Sequence, residues 1–188
     1  MDGFIKPHDP EWKNEFKRLR EILLAELNCF EIDVQHVGST TVPNLWAKPI
    51  LDVDIILFNN ELLNDISSIL EKLGYEPKGE QGIPGRFAFR QTSNLVPHAL
   101  GKNTWQEHHL YVCFSDSLAL KNHLQFRDVL LQDEKLVGEY SQLKIRLANE
   151  TGMNREKYWK SKTAFVLSIL QNLGFDPREL DEIKKANE

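Results

Sequence analysis

Two cysteines, Cys29 and Cys113, are all that the 188 residues contain. They exclude a disulfide framework, and no CxxC spacing is present to hold a structural zinc. No apolar run approaches the roughly 20 residues that a bilayer span requires. The opening "MDGFIKPHDPEW" lacks the basic-then-apolar layout of a secretion signal, so a cytoplasmic protein is expected. A basic tract is missing too: 23 Lys and Arg stand against 28 Asp and Glu, for a formal charge of −5. Such a chain offers no cationic stripe to neutralise many backbone phosphates, which makes nucleic acid an unexpected partner. A local cationic pocket remains compatible with that balance. There is no solenoid repeat, no low-complexity linker, and no Walker loop with its two glycines around four residues followed by Lys.

What is present reads as alternating strands and helices, then helices alone. Asp9 and Pro10 open a helix whose Trp12, Phe16, Leu19, Leu23 and Leu27 recur every three or four residues. Residues 30–37, "FEIDVQHV", alternate with period two, with Phe30, Ile32, Val34 and His36 on one face. A second strand is expected over 50–58 and a helix over about 60–73 with Gly74 at its end. The stretch "GYEPKGEQGIPGRFAFRQ" suggests a glycine-rich turn entering a short strand at Phe87–Arg90, and "HHLYVCF" at 108–114 is another strand. Helical stretches follow at about 117–131, 134–149 and 154–173. A last short helix begins at Asp176-Pro177, where Glu179 completes a capping-box pattern. The expectation is one α+β or α/β domain over 1–188 with a helical C-terminal part from about 116.

The chemistry concentrates in "HVGSTTVPNLWAKPILDVDIILF". Asp52 and Asp54 share one face of a strand, flanked by Ile50, Ile56 and Phe58, while Leu51, Val53, Ile55 and Leu57 face the other way. Apolar residues on both faces argue for an interior strand. Two adjacent carboxylates there repel each other and lose hydration, at a cost on the order of several kcal/mol per ion unless a cation compensates. Two readings stay open: a divalent metal, for which oxygen ligands and substrate phosphates suit Mg²⁺, or Lys and Arg from elsewhere in the chain. Gly38-Ser39-Thr40-Thr41 follows a strand and precedes Pro43. Glycine lets a phosphate approach the backbone, and the hydroxyls and amides can bind an anion; an ordinary turn with a capping Ser is the alternative.

Cations also stand where apolar residues belong. Leu120, Leu124, Arg127 and Leu131 follow a 4-3-4 spacing, and Tyr158, Lys162, Phe165, Val166 and Ile169 put Lys162 in a stripe. Lys144 follows Tyr140 by four, at the edge of its stripe. Inward cations need anions, which the two aspartates or a ligand's phosphates would supply; otherwise their stems reach out to water. Lys48 and Arg86 are further candidate phosphate contacts.

These segments, with "GEQGIPGRFAF", "HHLYV", "HLQFRD" and the pairs Tyr140/Lys144 and Tyr158/Lys162, resemble the GrpB family over about residues 5–170. The resemblance implies a nucleotidyltransferase-superfamily protein of DNA polymerase β-like fold, with a mixed sheet carrying helices and a helical C-terminal part. It implies that Gly38 and Ser39 hold nucleotide phosphates and that Asp52 and Asp54 bind Mg²⁺. A third acid would stand on a later strand, where "EHHLYV" offers Glu107 and, two along on the same face, His109. A GrpB-like domain also occurs fused to dephospho-coenzyme A kinase. A nucleotide or another phosphate-bearing small molecule, coenzyme A included, is therefore the expected partner. The expected activity is Mg²⁺-dependent nucleotidyl transfer to an unknown acceptor, with Arg127 or Lys162 offsetting developing charge. The alternatives are a non-catalytic binding module and a metal-dependent phosphohydrolase.

Overall fold

A computed structural model of the protein describes residues 5–99, 104–150 and 155–186, the stretch 155–161 by its backbone alone. Five strands form one mixed sheet: β1 (Ile32–Val37), β2 (Leu51–Leu57), β3 (Tyr75–Gly79), β4 (Arg86–Gln91) and β5 (His108–Phe114), in the order β1-β2-β5-β4-β3. Only β2 and β5 run parallel; the other three pairings are antiparallel. Parallel neighbours need a crossover connection. It is made by a 3₁₀ turn at Asn60–Leu62, helix α2 (Leu63–Lys72) and the β3–β4 hairpin. The expected strand at 108–114 is found at those bounds, the strand expected at 30–37 begins two residues later and ends where expected, and the one expected at 50–58 loses one residue at each end.

The hairpin's first strand was not foreseen. Pro77 argues against an interior strand, and only Tyr75 of β3 is buried. Both facts suit the sheet edge where β3 lies, with a register shift between Pro77 and Gly79.

The two faces of the sheet differ sharply in composition. Leu51, Val53, Ile55 and Leu57 of β2 and Leu110 and Val112 of β5 lie on one side, almost without exposure. They pack with Trp12, Leu19 and Leu23 of helix α1 (Glu11–Glu26) and with Ile66 and Leu70 of α2. Each such side chain contributes about 1.5–3 kcal/mol when fully buried, so this face carries the main core. Asp9 Oδ1 accepts from the Glu11 amide, which satisfies a free donor at the start of α1.

The other face presents Gln35 and Val37, Asp52 and Asp54, His109 and Tyr111, and Arg86, which the register sets side by side. Helix α3 (Leu118–Gln132) lies on it, against β1 and β5, and α4 (Glu134–Glu150) and α5 (Arg155–Asn172) pack on α3. Smaller apolar clusters bind these helices together, such as Val42, Leu45, Leu130, Val137 and Tyr140. Helix α6 (Pro177–Ala186) packs Ile183 against Leu170 and Phe175. The expected capping box is present: the Asp176 amide donates to Glu179 and the Glu179 amide to Asp176 Oδ1. Among the described residues, no helix is long and apolar enough to cross a membrane.

Candidate functional site

A cavity of about 530 Å³ opens between the polar face and helices α3 to α5. Its floor is set by the end of β1. Gly38 has φ +69°, and a Cβ there would lie 2.2 Å from Asp52 Oδ2. Only a residue without a side chain lets the turn close over that carboxylate. Asp52, half-buried, lines the cavity, and its Oδ1 meets His109 Nδ1 at 3.0 Å across the parallel register. Burial opposes ionisation of Asp52. The His109 bond and the positive charges of His123 and Lys162 outweigh it and hold the carboxyl below its ordinary range. The same bond, against burial, raises His109.

Asp54 behaves differently. It is fully buried, and its Oδ2 meets His123 Nδ1 of α3 at 2.7 Å. Its Oδ1 has no hydrogen-bond partner among the described residues. His123, not Asp54, lines the cavity. The two aspartates thus do not open together onto one ion: each is matched with an imidazole from a different element.

Three lysines share the cavity with Asp52. Lys144, 2% exposed, donates to Ser39 Oγ at 2.6 Å and to the Trp46 carbonyl at 2.7 Å, and lies 4.7 Å from the Tyr140 ring centre. Burial and the neighbouring Lys162 push its ammonium well below the usual lysine range. Lys162 also lines the cavity and is lowered by burial, an effect opposed by the Asp52 charge. Lys48 completes the set, and Arg86 lies 4.5 Å above the Tyr111 ring with a buried Nε that has no described partner. The side chain of Tyr158, the residue paired with Lys162 in the sequence, lies outside the described residues.

Three expected site residues are employed elsewhere. Thr40 is buried, with its hydroxyl 2.9 Å from His36 Nε2, so it does not face the cavity. Arg127 donates to Gln35 Oε1 at 2.7 Å and to the His36 carbonyl at 3.2 Å, and pairs with Asp128. It ties α3 to β1. Glu107 is exposed just before β5 and does not line the cavity; the residue opposite Asp52 is His109. Conversely, His123, Asn122 and Tyr111 line the cavity without having been singled out. His123 opens the "HLQFRD" segment, yet the helical stripe drew attention only to Arg127 within it.

The sheet order, the glycine turn over Asp52 and the helices laid on the polar face define a nucleotidyltransferase-type α+β fold. Solved structures agree. Cid1 in complex with its short product ApU superposes with a TM-score of 0.58 at 16% identity, over 91% of this chain and 52% of that one. Cid1 bound to the UTP analogue UMPNPP gives 0.56 at 16% over 91% and 52%. The chain therefore spans about half of Cid1.

Within that class the family is specific. The model described as GrpB protein matches residues 4–172, and the chain belongs to the GrpB family. The conserved protein GrpB from Enterococcus faecalis superposes with a TM-score of 0.74 at 29% identity, covering 98% of this chain and 99% of that one. YqkA of Bacillus subtilis is 30% identical over 165 residues, which are 88% of this chain but 45% of YqkA. The glutamate-rich protein GrpB of Alkalihalophilus pseudofirmus is 28% identical over 174 residues, 88% of this chain and 92% of that protein.

Proposed function

We propose that the cavity binds a nucleoside triphosphate and that the protein transfers its nucleotidyl group to a small acceptor. The observation that carries this reading is the convergence of Asp52 with Lys48, Lys144, Lys162 and Arg86 around the Gly38-Ser39 turn. A polyphosphate matches that excess of positive charge, and the one cavity-facing carboxylate needs a cation to accept a phosphate beside it. The nucleotidyltransferase fold supports the same substrate class.

For the Mg²⁺ that the fold implies, the cavity offers a single carboxylate among the described residues, Asp52. Two carboxylates facing one ion are not available, because Asp54 is sealed beneath His123. One ion held by Asp52, with substrate phosphate oxygens and water completing its shell, does fit the preference of Mg²⁺ for oxygen. It would supply charge neutralisation at the transferring phosphoryl group. The chain's own part is to orient. Lys144, held by Ser39 Oγ and the Trp46 carbonyl, fixes a cation at the turn, and Gly38 gives phosphate close access to the backbone. His109 keeps Asp52 in place. In-line positioning and charge complementarity then lower the barrier.

The covered state of Asp54 favours one second reading, a nucleotide- or coenzyme A-binding module without turnover. Thermal shift with a non-hydrolysable nucleoside triphosphate, with and without Mg²⁺, tests the binding common to both. We expect stabilisation that requires Mg²⁺ in the parent protein and loses that requirement in Asp52→Asn. Absence of any shift with adenine, cytosine or uracil nucleotides would remove both readings. Release of pyrophosphate separates transfer from mere binding, and release of inorganic phosphate alone would indicate a phosphohydrolase.

A further inference from the structure

A second cavity, of about 670 Å³, adjoins the first between the Gly82–Gly85 turn, the start of α3 and the end of α6. The two share Ile83, Arg86, Asn122, His123 and Ala186 in their walls. Their linings differ. Lys48, Lys144 and Lys162 belong to the first, whereas the second is walled by Ile83, Pro84, Phe114, Leu118, Ala119 and Ile183, with Asp116, Glu182 and Lys185 also lining it. A polyanion suits the first; in the second the two acids are offset by Lys185 and the shared Arg86, so no excess of positive charge calls for one. An uncharged or weakly polar body suits the second.

His123 stands at the boundary. Its Nδ1 is engaged by Asp54 Oδ2 at 2.7 Å, so the ring's proton faces a fully buried carboxylate and Nε2 is the nitrogen left for a ligand. A buried acid behind an imidazole fixes its tautomer and stabilises the imidazolium once a proton is taken. We infer that His123, oriented by Asp54, is the general base of the proposed transfer, and that the second cavity receives the acceptor, a hydroxyl-bearing small molecule with a largely uncharged body. This rests on the nucleotidyl-transfer reading. In the step, the acceptor hydroxyl gives its proton to His123 Nε2 while its oxygen forms a bond to the α-phosphorus. The bond from that phosphorus to the bridging oxygen breaks, and its electron pair leaves with pyrophosphate. Asp54 is a positioning residue; His123 touches the substrate.

The test uses the full chain with ATP or UTP labelled at the α-phosphate, Mg²⁺, and glycerol as a surrogate acceptor beside water. Binding of a non-hydrolysable analogue is measured separately by calorimetry. His123→Ala should lower pyrophosphate release about 100-fold, with analogue affinity changed less than about threefold, and added imidazole should restore part of the rate. Asp54→Asn should lower kcat and leave KM for the nucleotide unchanged. His123→Gln replaces the alanine variant if circular dichroism shows the latter unfolded. Undiminished release from the His123 variant, a loss that imidazole cannot recover, or an equal loss of analogue binding would each overturn the assignment. If the parent protein binds analogue but releases no pyrophosphate, the base assignment falls and the binding reading stands. If no analogue binds, the proposed function falls and takes this inference with it.

Discussion

His108 and His109 are neighbours in sequence and opposites in environment. His108 turns to the apolar face, where its Nε2 meets the Tyr75 hydroxyl at 2.7 Å and burial lowers its pKa to about 4. His109 turns to the other face and is raised by Asp52. The same contrast separates His36, buried beside Phe16 and lowered to about 4, from His123, where burial is outweighed by Asp54 and the imidazole is raised. One face of the sheet keeps its imidazoles neutral, and the other supplies each with a carboxylate. Stability is concentrated on the first, and binding chemistry is placed on the second, where paired charges offset one another at little net gain.

Acid gives the largest effect with which to break this comparison. His36 and His108 titrate near 4 when folded and near their ordinary value of 6.5 when unfolded. The unfolded chain therefore binds more protons between those values. Stability is fully present above about pH 6.5 and is lost as pH falls towards 4, by about 3 kcal/mol for each imidazole. Urea unfolding across that range checks it. His108→Gln should remove roughly half of the slope, whereas His109→Gln should not flatten it.

Next in size is Ile55→Ala, which deletes a fully buried side chain from the apolar face. A cost of about 2–5 kcal/mol is expected in chemical denaturation, with nucleotide binding retained at temperatures where the variant is folded. Gly38→Ala should cost about 1–3 kcal/mol, because it combines a left-handed backbone with a collision against Asp52. Unlike Ile55→Ala, it should also abolish the nucleotide-dependent thermal shift, since the turn must back away from the carboxylate.

The smallest stability effect is expected for Lys144→Met. The buried ammonium is unfavourable in the absence of a ligand, and a similar-sized apolar side chain removes that penalty while forfeiting two hydrogen bonds. The variant's unfolding free energy should lie within about 1 kcal/mol of the parent, yet nucleotide affinity should fall at least about tenfold in calorimetry. A large destabilisation would show that Lys144 is structural and blur the division between the faces.

The division was partly legible in the sequence. Alternation of Leu51, Val53, Ile55 and Leu57 with Asp52 and Asp54 gave the two-sided strand, and i+3/i+4 spacing gave the helices, because these periodicities are local properties of the backbone. The glycine turn was legible for the same reason. Partners were not. Nothing near Asp54 in sequence points to His123, 69 residues away, and only the fold brings them together. Arg127 within a helical stripe and Lys144 at the edge of one both read as inward cations, but the parts they play depend on what faces each helix, strand β1 for Arg127 and the Gly38-Ser39 turn for Lys144. Edge strand β3 was obscured by Pro77, whose missing donor is harmless only at a rim that no sequence pattern marks.

The parallel seam between β2 and β5 has a consequence for synthesis. Asp52 and its imidazole are 57 residues apart, and Asp54 and its own are 69 apart. At ribosomal speeds that gap lasts roughly 3–14 s, during which the aspartates exist without the groups that match their charge. The nascent chain can gather α1, β1 and β2 early, but it cannot seal the acidic side until α3 emerges. A pause or truncation before that helix would leave a half-built sheet with its carboxylates in water and the β2 edge that β5 covers unpaired.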